Sequence, residues 1–244
     1  MPLLRVFFEY LSKLTLFPRI SGIVAHGIYF MLTEGANSPD LPITNVWEQR
    51  KLSEVADKVT EKNLDLAVQE TFTNSAEFGI ISQRDFFDHS ISNADNIGGY
   101  YVVRGEDFVY NPRISVTAPV GPINRNKLGR NGVMSPLYTV FRPHDIDATY
   151  LEWFFKSSYW HPFMLVNGDS GARSDRFSIK NAVFFEMPIP APSLEEQRRI
   201  GSYLDRLDNI ITLHQRKHIG QLRPDMDLIT KSMSLFSSSW MMCR

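Results

Sequence analysis

The stretch from Met187 to Lys217 constrains the fold of this chain most, because a proline-rich segment leads directly into a marked helix start. Prolines at alternate positions of 188–192 exclude a regular helix before Ser193. Ser193 and Glu196 then have the spacing of a capping box, in which each side chain bonds the backbone N–H of the other residue. The sequence therefore predicts an extended segment that ends where a helix begins.

Apolar residues continue from this start at alternating spacings of four and three, which is the a/d pattern of a coiled coil. They are Ile200, Leu204, Leu207 and Ile211. The pattern becomes polar at His214 and His218, Gly220 weakens the helix, and Pro224 ends it. Two interpretations remain open: the helix packs on its own domain, or it pairs with another long helix.

Composition sets the broad class of the protein. A chain of 244 residues with 43% hydrophobic residues suits one globular domain with an appendage, or two small domains. The net charge of −1 gives no support for a nucleic-acid partner, so any DNA-binding interpretation has to come from local charge. The single cysteine, Cys243, excludes an internal disulfide framework and a Cys-rich zinc site, and a cytoplasmic setting is expected.

Residues 1–44 are expected to form an N-terminal extension, followed by a new unit near Trp47. The apolar run Ile20–Leu32 is too short to span a bilayer, and the segment lacks the pattern of a secretory signal. A packed helical extension, a membrane-surface segment and an extension outside the functional fold all remain open.

The middle of the chain mixes short strand patterns with helical ones. Glu48–Val59 has amphipathic helical spacing, and so has Asp147–Trp160, which His161-Pro162 should end. Strands are predicted at Thr71–Gly79, Tyr100–Arg104, Asp107–Tyr110, Leu137–Phe141 and Val183–Ile189. Because no regular βαβ repeat is present, we expect an α+β fold followed by a long coiled-coil-type helix.

A basic segment without acidic residues is the first candidate for DNA contact. Between Phe108 and His144 there is no Asp or Glu, and five basic residues give a local charge of +5. They are Arg113, Arg125, Lys127, Arg130 and Arg142. The segment also contains the polar residues Asn111, Ser115, Thr117, Asn124, Asn126 and Asn131. Basic and amide side chains on loops suit phosphate contact and base readout, although an ordinary basic surface loop has the same composition.

Gly168–Phe177 is the second candidate, since glycines allow close backbone approach and Arg173 and Arg176 suit contact with phosphate or guanine. Asp169 and Asp175 could instead hold these arginines in structural ion pairs. Three aromatic residues could stack on bases, although burial in a core is the commoner outcome. They are Tyr110, Trp160 and Phe177.

Catalytic motifs are weak. Tyr110–Arg113 resembles only part of the Asn-Pro-Pro-aromatic loop of amino-methyltransferases, and no phosphate loop of the Gly-x-x-x-x-Gly-Lys type is present. Asp85–His89 is the nearest approach to a nuclease-like acidic cluster. We therefore expect no catalytic residue, no metal and no cofactor.

Several motifs occur in the order found in one known family. They are Trp47–Val55, Asp107–Asn111, Gly132–Tyr138, and Pro188–Gln197 with Ile200 and Leu204. Residues 47–217 thereby resemble one target-recognition domain and one conserved helical region of the specificity subunit of type I restriction-modification enzymes.

This resemblance implies a non-catalytic role. The recognition domain would read one half of a bipartite double-stranded DNA target, and the helix would space two such domains and dock methyltransferase subunits. A motor and nuclease subunit would join through the complex. On this basis we predict DNA contacts by Arg113, Arg125, Lys127, Arg130, Arg173 and Arg176.

The expected organisation is a recognition domain at 45–190, a helical spacer or dimerisation region at 191–222 and an irregular tail at 223–244. Family members usually carry two recognition domains and two helices, whereas this chain shows one of each. A homodimer through the helix would restore a symmetric pair. The alternative is a truncated interaction remnant that has lost DNA reading.

Overall fold

The computed structural model describes residues 47–86, 94–169 and 175–213. The chain divides into two compact units, Met1–Arg198 and Arg199–Arg244. In the described part of the chain, all strands lie in the first unit, where they are interspersed with short helices. This mixture, without a βαβ repeat, confirms the predicted α+β class.

Ten short strands lie within the described residues. In chain order they are β1 (Glu48–Lys51), β2 (Ala56–Lys58), β3 (Phe72–Ser75), β4 (Gly79–Ser82), β5 (Tyr101–Val103), β6 (Phe108–Tyr110), β7 (Ile123–Arg125), β8 (Gly132–Met134), β9 (Thr139–Pro143) and β10 (Pro188–Ala191).

Helical segments separate these strands. The α-helices of the described part are α1 (Gln83–Phe86), α2 (Ala148–Lys156), α3 (His161–Asn167), α4 (Asn181–Phe184) and α5 (194–213). Two 3-10 turns span Leu52–Glu54 and Ala94–Gly99. No helix in the described ranges is long and apolar enough to cross a lipid bilayer.

The largest sheet is antiparallel and has the strand order β2-β9-β6-β7. Phe108 of β6 lies opposite Phe141 of β9, and their rings stack with centroids 5.5 Å apart. Phe155 of α2 contacts both rings, at 5.9 Å and 5.8 Å. Because buried aromatic side chains dominate core energetics, this contact attaches α2 to one face of the sheet.

Val109 and Val140 alternate with these aromatic residues and therefore face the other side of the sheet. There they join a second buried cluster, to which the two small sheets β3-β4 and β5-β8 contribute. Its other members are Val59, Phe72, Ile80, Val103 and Met134. The central sheet is thus covered on both faces.

The predicted helix over Glu48–Val59 is wrong. This segment forms β1, a 3-10 turn and β2, which pair with β10 and β9 respectively. Leu52, Val55 and Ala56 are buried as their spacing suggested, but the chain is held by distant backbone partners such as the carbonyl of Met187, which accepts from the N–H of Leu52 at 2.8 Å. Tertiary strand pairing overrides local helical spacing here.

The helix predicted at Asp147–Trp160 is confirmed as α2, and the Asp147 carboxylate caps it by accepting from the N–H of Tyr150 at 2.9 Å. Pro162 does not leave a loop, because it lies in the first turn of a further helix, α3, where proline is tolerated. The predicted strand Val183–Ile189 is half wrong: its first part is α4, and the strand β10 begins at Pro188.

Helix α5 begins after Ser193, and one half of the predicted capping box is present, since Ser193 Oγ accepts from the N–H of Glu196 at 3.3 Å. The Glu196 carboxylate accepts from the indole N–H of Trp47 at 3.2 Å. Leu204 and Ile211 are buried, and Ile200 and Leu207 are half-buried. The predicted polar end at His214 and beyond lies outside the described residues, so the long coiled-coil helix stays a prediction.

Candidate nucleic-acid interface

The two segments singled out by their sequence meet in the structure. The N–H of Ile114 donates to the carbonyl of Asp175 at 3.0 Å, and the N–H of Phe177 donates to the carbonyl of Pro112 at 2.8 Å. Between these two hydrogen bonds, Arg113 lies directly opposite Arg176 in an antiparallel bridge. We call this pairing of 112–114 with 175–177 the arginine ladder.

Both arginines of the ladder are accessible. Arg113 is exposed and Arg176 is half-buried. Among the described residues, neither guanidinium forms an ion pair with a carboxylate. Two positive charges therefore face each other without a compensating acid, which suits an anionic ligand.

The backbone on both sides of the ladder is held in place. Asn111 accepts from the N–H of Arg113 at 2.9 Å through Oδ1 and donates from Nδ2 to the carbonyl of Asn74 at 2.8 Å. On the other strand, Phe177 is buried against Gly168, where a Cβ atom would lie only 2.3 Å from the ring. Only glycine at 168 leaves room for this ring, so the position of Arg176 depends on it.

A tight turn follows the ladder. Ser115 accepts the N–H of Ala118 through both its carbonyl, at 3.2 Å, and its hydroxyl, at 3.1 Å. Val116 at the tip is fully exposed, at 102%. No sequence pattern marks Val116, because only the fold shows that this β-branched residue is fully exposed.

Arg125 and Lys127 lie beside α2. Arg125 has only 7% of its side chain exposed, and its guanidinium lies 2.5 Å from Glu152 and 3.0 Å from Glu106. Lys127 is 53% exposed and lies 3.3 Å from Glu152, which Lys156 also contacts at 3.0 Å. Glu152 thus joins Arg125 and Lys127 to α2, and Arg125 is a structural ion-pair partner.

Burial raises the pKa of Glu152, but the Lys156, Arg125 and Lys127 charges outweigh it and hold this pKa below the ordinary value of 4.5. Glu152 is therefore ionised at neutral pH. Three basic side chains contact Glu152 and Glu106, so basic residues outnumber acidic ones in this cluster.

Arg130 forms a two-pronged ion pair with Glu70, at 2.7 Å and 2.8 Å, while half of its side chain remains exposed. The hydrogen bond from Arg130 lowers the pKa of the Glu70 carboxyl. Arg142 likewise donates two hydrogen bonds to the carboxylate of buried Asp107, from Nε at 2.8 Å and from Nη2 at 2.9 Å. The lack of acids along 108–144 therefore does not leave all five cations unpaired.

Comparison with known proteins decides the family. Residues 45–222 of the chain match the family described as "Type I restriction modification DNA specificity domain". The chain belongs to this family. None of the curated proteins matches the chain significantly.

Two solved structures are similar to this specificity domain at low identity. A crystal structure of the HsdS subunit from Thermoanaerobacter tengcongensis shares 19% identity with a TM-score of 0.46, covering 87% of this chain and 50% of its own. A structure from a study of complex assembly and conformational transition of the type I R-M system shares 19% identity, also with a TM-score of 0.46, covering 88% of this chain and 52% of its own. The chain thus spans about half the length of both.

Amide side chains that the composition suggested as base readers are used inside the specificity domain. Asn124 donates to Oδ1 of buried Asn74 at 2.7 Å, and Asn74 in turn donates to the carbonyl of Val109 at 2.7 Å. Buried Asn126 donates to the carbonyls of Arg104 and Arg130 at 2.9 Å and 3.0 Å. Asn131 is exposed.

Of the other residues that the sequence singled out, the aromatic ones are buried in the core, and several more lie outside the described residues. Tyr110, Trp160 and Phe177 are at most 5% exposed, so the three aromatic residues are core residues. Arg173 lies outside the described residues, and so does most of the acidic segment Asp85–His89. Within the described ranges, no group of three or more His, Cys, Asp or Glu residues is placed to hold a metal ion.

Proposed function

We propose that this chain is the DNA-reading part of a type I restriction-modification specificity subunit and recognises one half of a bipartite double-stranded DNA target. Membership of the DNA specificity domain family supports this proposal. The observation that carries it is the arginine ladder, where Arg113 and Arg176 face each other on an anchored, accessible backbone and form no ion pair with a carboxylate of the described residues. Lys127 and Arg130, each about half exposed, are proposed as additional backbone contacts.

Recognition by this domain would combine two kinds of contact. Contacts from cationic side chains to phosphates position the protein and supply salt-dependent affinity, whereas contacts to base edges determine which DNA sequence is recognised. Arg125, which is nearly buried and doubly ion-paired, would act by shaping the Lys127 loop. Arg173 remains a proposed contact on sequence grounds alone.

Helix α5 is proposed as the assembly element, through the half-buried Ile200 and Leu207 of the predicted seam, whose other members, Leu204 and Ile211, are already buried in the single chain. Its start is fixed to the recognition domain, because buried Gln197 accepts from the N–H of Asp147 at 2.8 Å and donates to the carbonyl of Pro192 at 2.8 Å. Through this helix the chain would dock methyltransferase subunits and pair with a second copy, and the motor and nuclease subunit would join the complex. The chain itself would carry no catalytic step.

The test is to express the chain with its cognate modification subunits and to map methylated bases across the host genome. The proposal predicts methylation confined to one recurring sequence, and a symmetric bipartite sequence if two copies pair. The control is the modification subunits without this chain, which should leave that sequence unmethylated. No recurring methylated sequence, together with no binding of duplex DNA, would favour an interaction remnant.

A further inference from the structure

Arg113 and Arg176 occupy the closest kind of facing positions in an antiparallel pair. The hydrogen bonds of the ladder join Ile114 to Asp175 and Phe177 to Pro112, so the two arginines form a pair that exchanges no backbone hydrogen bond itself. In such pairs the Cβ atoms are about 4.5–5.5 Å apart and the side chains lie on the same face.

Like charges at facing positions destabilise a strand pair, and no carboxylate in the described ranges forms an ion pair with either arginine. The other arginines of the sheet region show the contrast, since each forms an ion pair with a carboxylate. They are Arg104, Arg125, Arg130 and Arg142. Side chains alternate along a strand, so the side chain of Asp175 lies on the opposite face from that of Arg176. Within the described residues, no ion pair joins Asp175 to either arginine.

The backbone at Arg113 and at Arg176 is held in place by contacts within the chain, without a ligand. Asn111 fixes the backbone of Arg113 to β3, and the burial of Phe177 against Gly168 fixes the backbone of Arg176. Such preorganisation lowers the conformational cost of binding. The ligand that suits two neighbouring guanidinium groups is a tetrahedral oxyanion, because each planar fork can bond a phosphate oxygen.

We propose that Arg113 and Arg176 together bind a single phosphate of the DNA backbone, one guanidinium on each non-bridging oxygen. This inference rests on the proposed DNA-binding function and adds to it a defined anchor point. It predicts that the two arginines act as one contact instead of two, because they share the same phosphate.

The test measures how the affinity for a duplex of arbitrary sequence depends on salt, for the wild type, R113Q, R176Q and the double variant. Each phosphate neutralised contributes about 0.9 to the slope of log affinity against log salt. A shared phosphate predicts that the double variant loses about 0.9 of slope and that each single variant loses less. K58Q is the control, since exposed Lys58 lies on β2, at the other edge of the central sheet from β7, and should leave the slope unchanged.

R113K with R176K separates charge from fork geometry: the slope should be retained while affinity falls. A loss of about 0.9 in each single variant and about 1.8 in the double variant would show two separate phosphates and overturn the shared site. An unchanged slope in the double variant, with salt-dependent binding by the wild type, would reject the anchor but leave DNA binding intact. Salt-independent binding, or none, by the wild type would reject both proposals.

Discussion

At the scale of single residues, the polar side chains fall into two groups: those that form hydrogen bonds inside the fold and those that are exposed at its surface. The composition of 108–144 predicted a basic, amide-rich surface, and the structure uses much of it internally. Asn74, which no sequence motif singles out, joins Val109, Pro122 and Asn124 through its side chain and Asn111 through its carbonyl. A buried polar group with this many partners specifies how the strands meet.

We expect N74A to lower the free energy of unfolding by about 2 kcal/mol, because the carbonyl of Val109 and the amide of Asn124 lose a buried partner. Denaturant unfolding followed by circular dichroism measures this change. N131A is the matched control, since Asn131 is exposed, and it should change stability by less than about 0.5 kcal/mol. Equal effects of the two substitutions would contradict the structural role of Asn74.

At the scale of elements, local signals predicted α2 and the strands β5, β6 and β9, but they failed at Glu48–Val59 and in the first part of Val183–Ile189. Asp147 and the apolar spacing after it are sufficient to define α2, because its cap and its backbone hydrogen bonds are local. Glu48–Val59 failed because β1 and β2 depend on β10 and β9, which lie far away in the sequence. The candidate site could be predicted only in part for the same reason. Its basic residues are visible in the sequence, but the ion pairs Arg125–Glu152 and Arg130–Glu70 join residues far apart in the chain and are visible only in the structure.

The attachment of α2 to β7 should depend on pH. The pKa of Glu152 is depressed in the folded state, so its ion pairs add stability above the ordinary value of 4.5 and lose it as pH falls through the lower folded pKa. Melting temperature measured from neutral pH downward should therefore drop in acid, and the drop should be smaller in E152Q, which has no carboxylate to protonate. The same acid dependence in E152Q and wild type would rule out this contribution.

The start of α5 should depend on Gln197. Q197A removes both hydrogen bonds that join α5 to Asp147 and Pro192, and because Gln197 is buried we expect a loss of about 2 kcal/mol in unfolding free energy. The neighbouring exposed Arg198 provides the control, since R198A should cost less than about 0.5 kcal/mol. A Q197A protein as stable as R198A would show that this junction is not held by the amide.

At the scale of the whole molecule, weak net charge and DNA recognition are compatible. The chain carries a formal charge of −1, yet the arginine ladder and the exposed Lys127 and Arg130 gather positive charge locally. Binding should therefore come from a few well-placed contacts, and its salt dependence should correspond to a small number of phosphates. A titration of duplex binding against salt concentration measures that number, and a steep slope such as many phosphates produce would contradict this view.

Sequence recognition by this domain is measured most directly by selecting bound duplexes from a random-sequence DNA pool with the wild-type chain and its modification subunits. Sequence recognition by this domain predicts enrichment of one defined motif, with weaker recovery of DNA by the R113Q and R176Q double variant. Recovery of duplexes with no enriched motif, at the same yield for wild type and double variant, would contradict the account.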